Sequence, residues 1–106
     1  MPSSVANGTL SASGSEQTLA TVTSGGSFVL VTDCSGLAGG DKVELRIYTK
    51  TKSGGVERLS YTRRYANAQA EPIKYSPPVP ADVSFRATLN QVAGTLRAFD
   101  WSILQL

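Results

Sequence analysis

Apolar and polar residues alternate strictly in the middle of the chain, along the stretch DKVELRIYTK. Val43, Leu45 and Ile47 share one face of an extended strand, and polar or charged residues occupy the other face. This period of two predicts a half-buried β-strand. A similar segment follows the sequence SGG at residues 53–55, where glycine can adopt the left-handed conformation that a three-residue hairpin loop needs. The two segments therefore predict a β-hairpin.

A three-residue loop fixes which residues face each other in this hairpin. Val43 then faces Tyr65 and Ile47 faces Tyr61, so these side chains share the inner face. A shift of one residue would set the apolar residues opposite polar ones, which a buried face disfavours. The same register also predicts the pairs Glu44 with Arg64, Thr49 with Leu59 and Lys50 with Arg58.

Two more alternating regions predict two more hairpins. In DVSFRATLNQV and the residues after it, a loop at AGT sets Ala87 opposite Trp101, a small residue against a large one, so we expect Trp101 to be buried. Around the glycine pair that precedes Phe28, Val22 is expected to face Phe28. The run FVLV at residues 28–31 is apolar on both faces. It indicates a central strand covered on both sides, or two strands that part into opposite sheets.

The segment EPIKYSPPVP, residues 71–80, contains four prolines, which cannot donate hydrogen bonds to a β-ladder. It is expected to form at most an edge strand around Ile73 to Tyr75. About seven or eight strands are predicted in all, which indicates an all-β fold, a single antiparallel β-sandwich of jelly-roll or immunoglobulin-like topology. Residues 1–15, rich in Ser, Gly and Ala, predict a flexible N-terminal arm, and residues 16–106 the sandwich domain.

Composition agrees with one all-β domain. A chain of 106 residues can bury roughly two-thirds of its unfolded surface in a single core. Charged residues make up only 17%, and Ser, Thr and Gly, which favour turns and pleated surfaces, take their place. No apolar run approaches the ~20 residues of a membrane-spanning helix, and no secretory signal is visible. With a single cysteine, synthesis in a reducing cytoplasm is expected.

Few residues offer catalytic or metal-binding chemistry. There is no histidine, which removes the commonest general base and metal ligand. The acidic residues are scattered singly, and no glycine-rich stretch matches a phosphate-binding loop. Cys34 has no partner at metal-binding spacing and is expected to be a small, partly buried residue. We therefore expect neither an enzyme nor a cofactor-binding or metal-binding protein.

Basic residues are concentrated in the central hairpin. Residues 48–65 hold five of the ten bases against one acid, Glu57, although the formal net charge is only +2. The segment could be a solvated ribbon, a docking surface for an acidic protein, or a nucleic-acid ribbon. The predicted like-charge pair would destabilise the ladder slightly, which favours a docking role. The candidate partner-binding residues are Arg46, Lys50, Lys52, Arg58 and Arg64.

Other ligands fit the sequence less well. Nucleic-acid binding would call for a more basic domain and exposed aromatic residues, whereas Tyr61 and Tyr65 are expected to point inward. A sugar-binding platform would call for an exposed tryptophan, whereas Trp101 is expected in the core. Neither a nucleic-acid nor a membrane partner is therefore expected.

The whole layout resembles small all-β structural proteins of tailed-bacteriophage virions, of the head decoration (cement) kind. The resemblance rests on the arm SSVANGTLSASGSEQTLATVT, the strand in GDKVELRIYTK, the proline-rich EPIKYSPPVPADVSFRATL and the terminal FDWSILQL. It implies a virion protein without catalysis, assembled in the host bacterial cytoplasm, that binds the major capsid protein or another virion protein as a trimer or dimer. It assigns no role to any single residue. The alternatives are a neck or tail component, and a carbohydrate-binding or adhesin-like module.

Overall fold

The computed structural model describes residues 2–106 and contains nine β-strands and no helix within them. All strand pairs are antiparallel, so the predicted all-β, antiparallel fold is confirmed. The strands are β1 (Ser3–Ser11), β2 (Gln17–Val22), β3 (Gly26–Asp33), β4 (Lys42–Lys50), β5 (Glu57–Ala66), β6 (Ile73–Tyr75), β7 (Val79–Ala81), β8 (Phe85–Ala93) and β9 (Ala98–Gln105).

The strands form two sheets. The five-stranded sheet has the order β1-β9-β3-β6, and β7 pairs with the first residues of β3 on the same side as β6. The four-stranded sheet has the order β2-β8-β4-β5. One hydrophobic core joins the sheets, and the rings of Phe28 in β3 and Phe85 in β8 meet there with centroids 5.3 Å apart. The largest fully buried apolar side chains are Phe28, Phe85, Phe99, Leu30, Ile47, Leu89, Ile103 and Val43.

Two of the three predicted hairpins pair differently. β2 and β3 lie in different sheets, and so do β8 and β9. Ala87 of β8 therefore faces Ile47 of β4 and Ala20 of β2, not Trp101. The alternative of strands that part into opposite sheets is thus the correct one for β2 and β3. Alternation reports which face of a strand is buried, and it does not report which strand lies beside it.

The central hairpin, β4–β5, is confirmed, with one correction. Val43 faces Tyr65 and Ile47 faces Tyr61, as predicted. A β-bulge then follows, because Tyr48 faces Leu59 and one residue of β5 is skipped. Beyond the bulge every predicted pair is shifted by one residue.

The shift changes the charges that meet near the hairpin loop. Lys50 faces Glu57, and Arg58 faces Thr49, so the predicted like-charge pair of Lys50 with Arg58 is wrong. Leu59 moves from the predicted inner face to the outer one, where 51% of it is exposed.

Residues 3–11, assigned above to a flexible arm, form the edge strand β1. It pairs with β9 from Ser3 opposite Gln105 to Ser11 opposite Ala98. The Thr9 hydroxyl donates to Asp100 Oδ1 over 2.6 Å. The sandwich-like body therefore includes most of the segment placed outside it.

Trp101 is only half-buried, which is less than the burial predicted for it. It faces Thr32 of β3 on one side and Gly8 of β1 on the other. Paired residues in an antiparallel ladder share a face, and the Thr32 side chain is fully buried, so Trp101 points toward the interior. The indole lies directly beside Gly8, where an added Cβ would be 3.4 Å from the ring.

The proline-rich crossing forms the predicted edge strand and one more. β6 and β7 both pair with β3 and are separated by residues 76–78. Ser76 bridges the gap, since its amide donates to the Leu30 carbonyl and its hydroxyl accepts from the Leu30 amide, both over 2.9 Å. The prolines interrupt this strand without detaching it from the sheet.

A buried carboxylate closes one end of the molecule. Asp41 accepts hydrogen bonds from the amides of Ala38 and Thr95 over 2.9 Å and from Arg97 Nε over 2.8 Å. These bonds, that from Ala38 above all, lower the pKa of Asp41. They join the loop before β4 to the loop between β8 and β9, and so connect the two sheets.

Candidate docking surface

A network of three acids and three arginines covers the outer face of the four-stranded sheet. We call it the carboxylate–arginine network, and its members are Glu16, Glu44, Glu57, Arg46, Arg64 and Arg86. The residues come from β4, β5, β8 and the segment before β2. Because acids and bases are equal in number, the network adds no net charge to this face.

Glu44 neutralises two of the candidate partner-binding residues. It is almost fully buried and lies opposite Arg64 in the β4–β5 ladder. Arg64 Nε donates to Glu44 Oε2 over 2.6 Å, which lowers the pKa of Glu44. Arg46 Nε lies 2.6 Å from Glu44 Oε1, as an ion pair without a well-directed hydrogen bond. Arg46 and Arg64 are therefore both paired with an acid of the same chain, although the Arg64 side chain stays exposed to solvent.

Glu57, the acid of the basic segment, is held by Arg86 of β8. Arg86 donates from Nε and Nη2 to the Glu57 carboxylate over 2.8–3.1 Å, in a fork geometry, and this raises the pKa of Arg86. The same guanidinium lies 4.3 Å from the centre of the Tyr48 ring and donates to Thr18 Oγ1 over 2.9 Å. These contacts hold β5 to β8 across β4.

Glu16 extends the network to the other edge of the sheet. It accepts hydrogen bonds from the hydroxyl groups of Tyr48 over 2.6 Å and Thr88 over 2.7 Å, which lower its pKa. The outer face is therefore a connected layer of polar side chains, in which Arg46 Nε and Asn90 Oδ1 are buried without a hydrogen-bond partner in the described part of the chain. Such a layer stiffens the sheet behind the hairpin loop.

The remaining candidates lie around the loop, in what we call the hairpin tip, residues 50–59. Lys52 and Arg58 are exposed, and neither forms an ion pair with any residue from 2 to 106. Lys50 is half-buried and faces Glu57. The structure therefore splits the five candidates into an engaged pair, Arg46 and Arg64, and a group at the tip.

Two apolar residues of the tip complete this surface. Val56 is 66% exposed and Leu59 is 51% exposed. Sequence reasoning missed both as surface residues. Val56 directly follows two glycines in a loop, and this position could have indicated that its side chain is exposed. The exposure of Leu59 could not be predicted, because it results from the bulge. A hairpin tip that exposes both apolar and basic side chains is suited to protein contacts.

The surface also has two depressions, one beside the tip and one on the five-stranded sheet. A shallow one of about 480 Å³ adjoins the tip and is lined by Thr49, Lys50 and Thr51 together with Gly26 and residues 80–82. A groove of about 190 Å³ on the five-stranded sheet is lined by Val31, Asp33, Ile73, Asp100, Trp101 and Ser102.

Cys34 is buried, and its burial raises the pKa of the thiol to about 11. No group of three or more His, Cys, Asp or Glu side chains among residues 2–106 is arranged to hold a metal ion. The same residues contain no helix able to span a membrane.

Comparison of the chain with protein-family models, with curated proteins and with solved structures gives no match.

Proposed function

We propose that this chain is a non-enzymatic structural protein of a tailed-phage particle, a decoration protein that binds the outer surface of the head. The observation that carries the proposal is the hairpin tip, which exposes Val56 and Leu59 together with Lys52 and Arg58, two bases that form no ion pair within residues 2–106. Its partner is an acidic face of the major capsid protein or of another virion protein. The chain is made in the host cytoplasm and acts on the particle.

Strand pairing supports a finer description of the fold, the jelly roll. Counted as one interrupted strand, β6 and β7 leave eight strand positions in chain order. The first pairs with the eighth, the second with the seventh, the third with the sixth and the fourth with the fifth. This is the pairing of one long hairpin folded over into two sheets. Jelly rolls include viral capsid domains and lectins, so the topology is compatible with the proposal without deciding the function.

The tip is a better docking element than the basic segment as a whole. Arg46 and Arg64 are already paired with Glu44. Replacing them would therefore disturb the sheet itself, and not only a contact with a partner. At the tip, Lys52 and Arg58 project from a ribbon that Arg86 fastens to the neighbouring strand. A rigid, basic and partly apolar projection loses little conformational freedom on binding.

The test is a charge reversal at the tip. Lys52→Glu with Arg58→Glu should keep the β-sheet circular dichroism spectrum and weaken binding to purified particles that lack the protein. The matched control is Lys42→Glu with Arg63→Glu, which changes the net charge equally at the other end of the same hairpin. Binding should also weaken as salt rises, since exposed charges are screened over roughly 8 Å at physiological ionic strength.

Three outcomes would count against the proposal. If the tip variant binds particles as tightly as the wild type does, or if the control variant weakens binding equally, the tip is not part of the contact. If quantitative mass spectrometry finds no copies of the protein in purified particles, the protein is not a virion component. Copy number also separates the related alternative, since hundreds of copies indicate the head and a handful indicate the neck or tail.

A carbohydrate-binding or adhesin-like module is the second candidate, and one observation favours it. The groove on the outer face of the five-stranded sheet presents the carboxylates of Asp33 and Asp100 beside the Ser102 hydroxyl, polar groups able to bind the hydroxyls of a sugar. Specific binding on a glycan array, lost in Asp100→Asn, would support this candidate over the first.

A further inference from the structure

The four sheet edges, formed by β1, β2, β5 and the pair β6 and β7, differ in how they are protected against pairing with another chain. A free sheet edge offers unpaired amides and carbonyls, and charges, prolines, bulges or short length normally block it. β5 carries Arg58, Arg63 and a bulge. β6 and β7 have three residues each and lie among prolines. β2 has six residues and is bulged in its middle.

β1 carries the least protection. None of its nine residues is charged and none is proline. Its bulge lies near one end, between Ser4 and Ala6, so the run Ala6–Ser11 pairs with β9 without interruption. On its other side β1 has no strand partner within residues 2–106. This run is a regular, uncharged and open edge.

The core behind this edge is incompletely covered. Ala6 and Leu10 of β1 are half-buried against the core, as are Leu19 of β2 and Trp101 of β9. Gly8 adds no side chain over the indole. A strand added beside β1 would cover this apolar seam and satisfy the free backbone groups at once.

We propose that β1 pairs antiparallel with β1 of a second copy of this chain, joining two five-stranded sheets into one. The occupant follows from symmetry and charge. An antiparallel pair of identical strands is related by a two-fold axis, so one edge serves both partners. The only other long edge, β5, would bring Arg58 and Arg63 against their own copies, whereas β1 brings no charge.

The side chains indicate the register. Ala6, Gly8 and Leu10 share the inner face of β1, because they pair with the inward-facing residues of β9. A two-fold axis at Gly8 sets each Ala6 opposite the partner's Leu10, a small residue against a large one. In this register the two Asn7 side chains lie close to the axis on the outer face.

The experiment adds a charge at that point. Asn7→Lys should raise the dimer dissociation constant, measured by sedimentation velocity, by roughly tenfold or more, since like charges meet at the axis. The matched control is Thr62→Lys, which adds the same charge to the outer face of the exposed edge β5 and should leave dimerisation unchanged. Mixing Asn7→Lys with Asn7→Glu should restore a dimer that each variant forms more weakly alone.

Hydrogen exchange of the wild-type protein is a second test of the β1–β1 dimer, and it needs no substitution. Backbone amides in residues 6–11 should gain protection as protein concentration rises, while those of β5 should not. A wild type that stays monomeric up to millimolar concentration overturns the proposal, as do equal effects of the two lysine variants or a failure of the mixture to recover. Because no step requires a particle, failure of the virion proposal would leave these results unchanged.

Discussion

Gly94 and Asp41 are packed so closely that a side chain at position 94 has no room. Gly94 has a φ of +88°, in the left-handed region, and an added Cβ would overlap Asp41 Oδ1 and lie 2.6 Å from Asp41 Cα. Gly94→Ala should therefore lower the free energy of unfolding by about 3 kcal/mol, from strain and steric overlap together. Urea denaturation followed by circular dichroism measures this change.

Gly54 supplies the matched control for this substitution. Its φ is +77°, but no atom lies within 4 Å of an added Cβ. Gly54→Ala should cost only the backbone strain, about 1 kcal/mol. Equal losses at the two positions would show that the contact with Asp41 contributes nothing.

The Asp41 carboxylate should also make stability depend on pH. Its pKa is lowered in the folded protein, chiefly by the hydrogen bond from the Ala38 amide. Its contribution is therefore complete above the ordinary aspartate pKa of ~3.9 and is lost as pH falls through the lower folded value. Asp41→Asn should be less stable than wild type at pH 7, and the difference should narrow below about pH 4. A difference that stays constant from pH 7 to pH 2 would contradict this assignment.

The bulge in β5 decides which residues form the hairpin tip. Ser60 is the extra residue, since Tyr61 faces Ile47 and Leu59 faces Tyr48. Deleting Ser60 should leave every other pair in place and cost about 1 kcal/mol, mainly through the lost hydroxyl contact with Thr49.

A deletion within the regular ladder should behave differently. Without Thr62, the bulge can close the gap only if Tyr61 turns to the outer face opposite Arg46 and Ser60 takes its place opposite Ile47, so the Tyr61 ring is lost from the core. The cost should be several times that of deleting Ser60, as measured by thermal and urea unfolding. If the two deletions cost the same, Ser60 is not the bulged residue.

The elements show where sequence reasoning succeeds. The strand segments 42–50 and 85–93 were predictable, because one buried face imposes a period of two. The neighbour with which each strand pairs was not predictable, because β2 and β8 would show the same alternation in either sheet. The bulge was invisible because Ser60 is an ordinary polar residue. Asp41 and Arg97 are 56 residues apart, and no local pattern links them.

At the scale of the whole molecule, the N-terminal segment is part of the packed body. Removing residues 1–11 should uncover the Trp101 indole beside Gly8 and take away the apolar cover that Ala6 and Leu10 give the core. We expect a red shift of tryptophan emission and a loss of about 2 kcal/mol or more in stability. A variant lacking only residues 1 and 2 is the control. Unchanged emission and stability in the longer deletion would instead support a flexible arm.

The two proposed contacts use opposite sides of the molecule. β5, which carries the tip, is the far edge of the four-stranded sheet, and β1 lies beside the opposite edge strand, β2. A dimer formed through β1 would therefore leave both tips free. Two tips on one dimer would raise the apparent affinity for a surface that repeats the same acidic face.

The pairing of β1 with β9 also brings the two ends of the chain together. Ser3 faces Gln105, so the first and last strands end side by side at the same edge of the sheet. A short glycine-serine linker could join them, and new ends could be opened in the exposed loop at residues 51–55. The resulting circular permutant should fold. Alternatively, a peptide fused before β1 or after β9 would be displayed at nearly the same point.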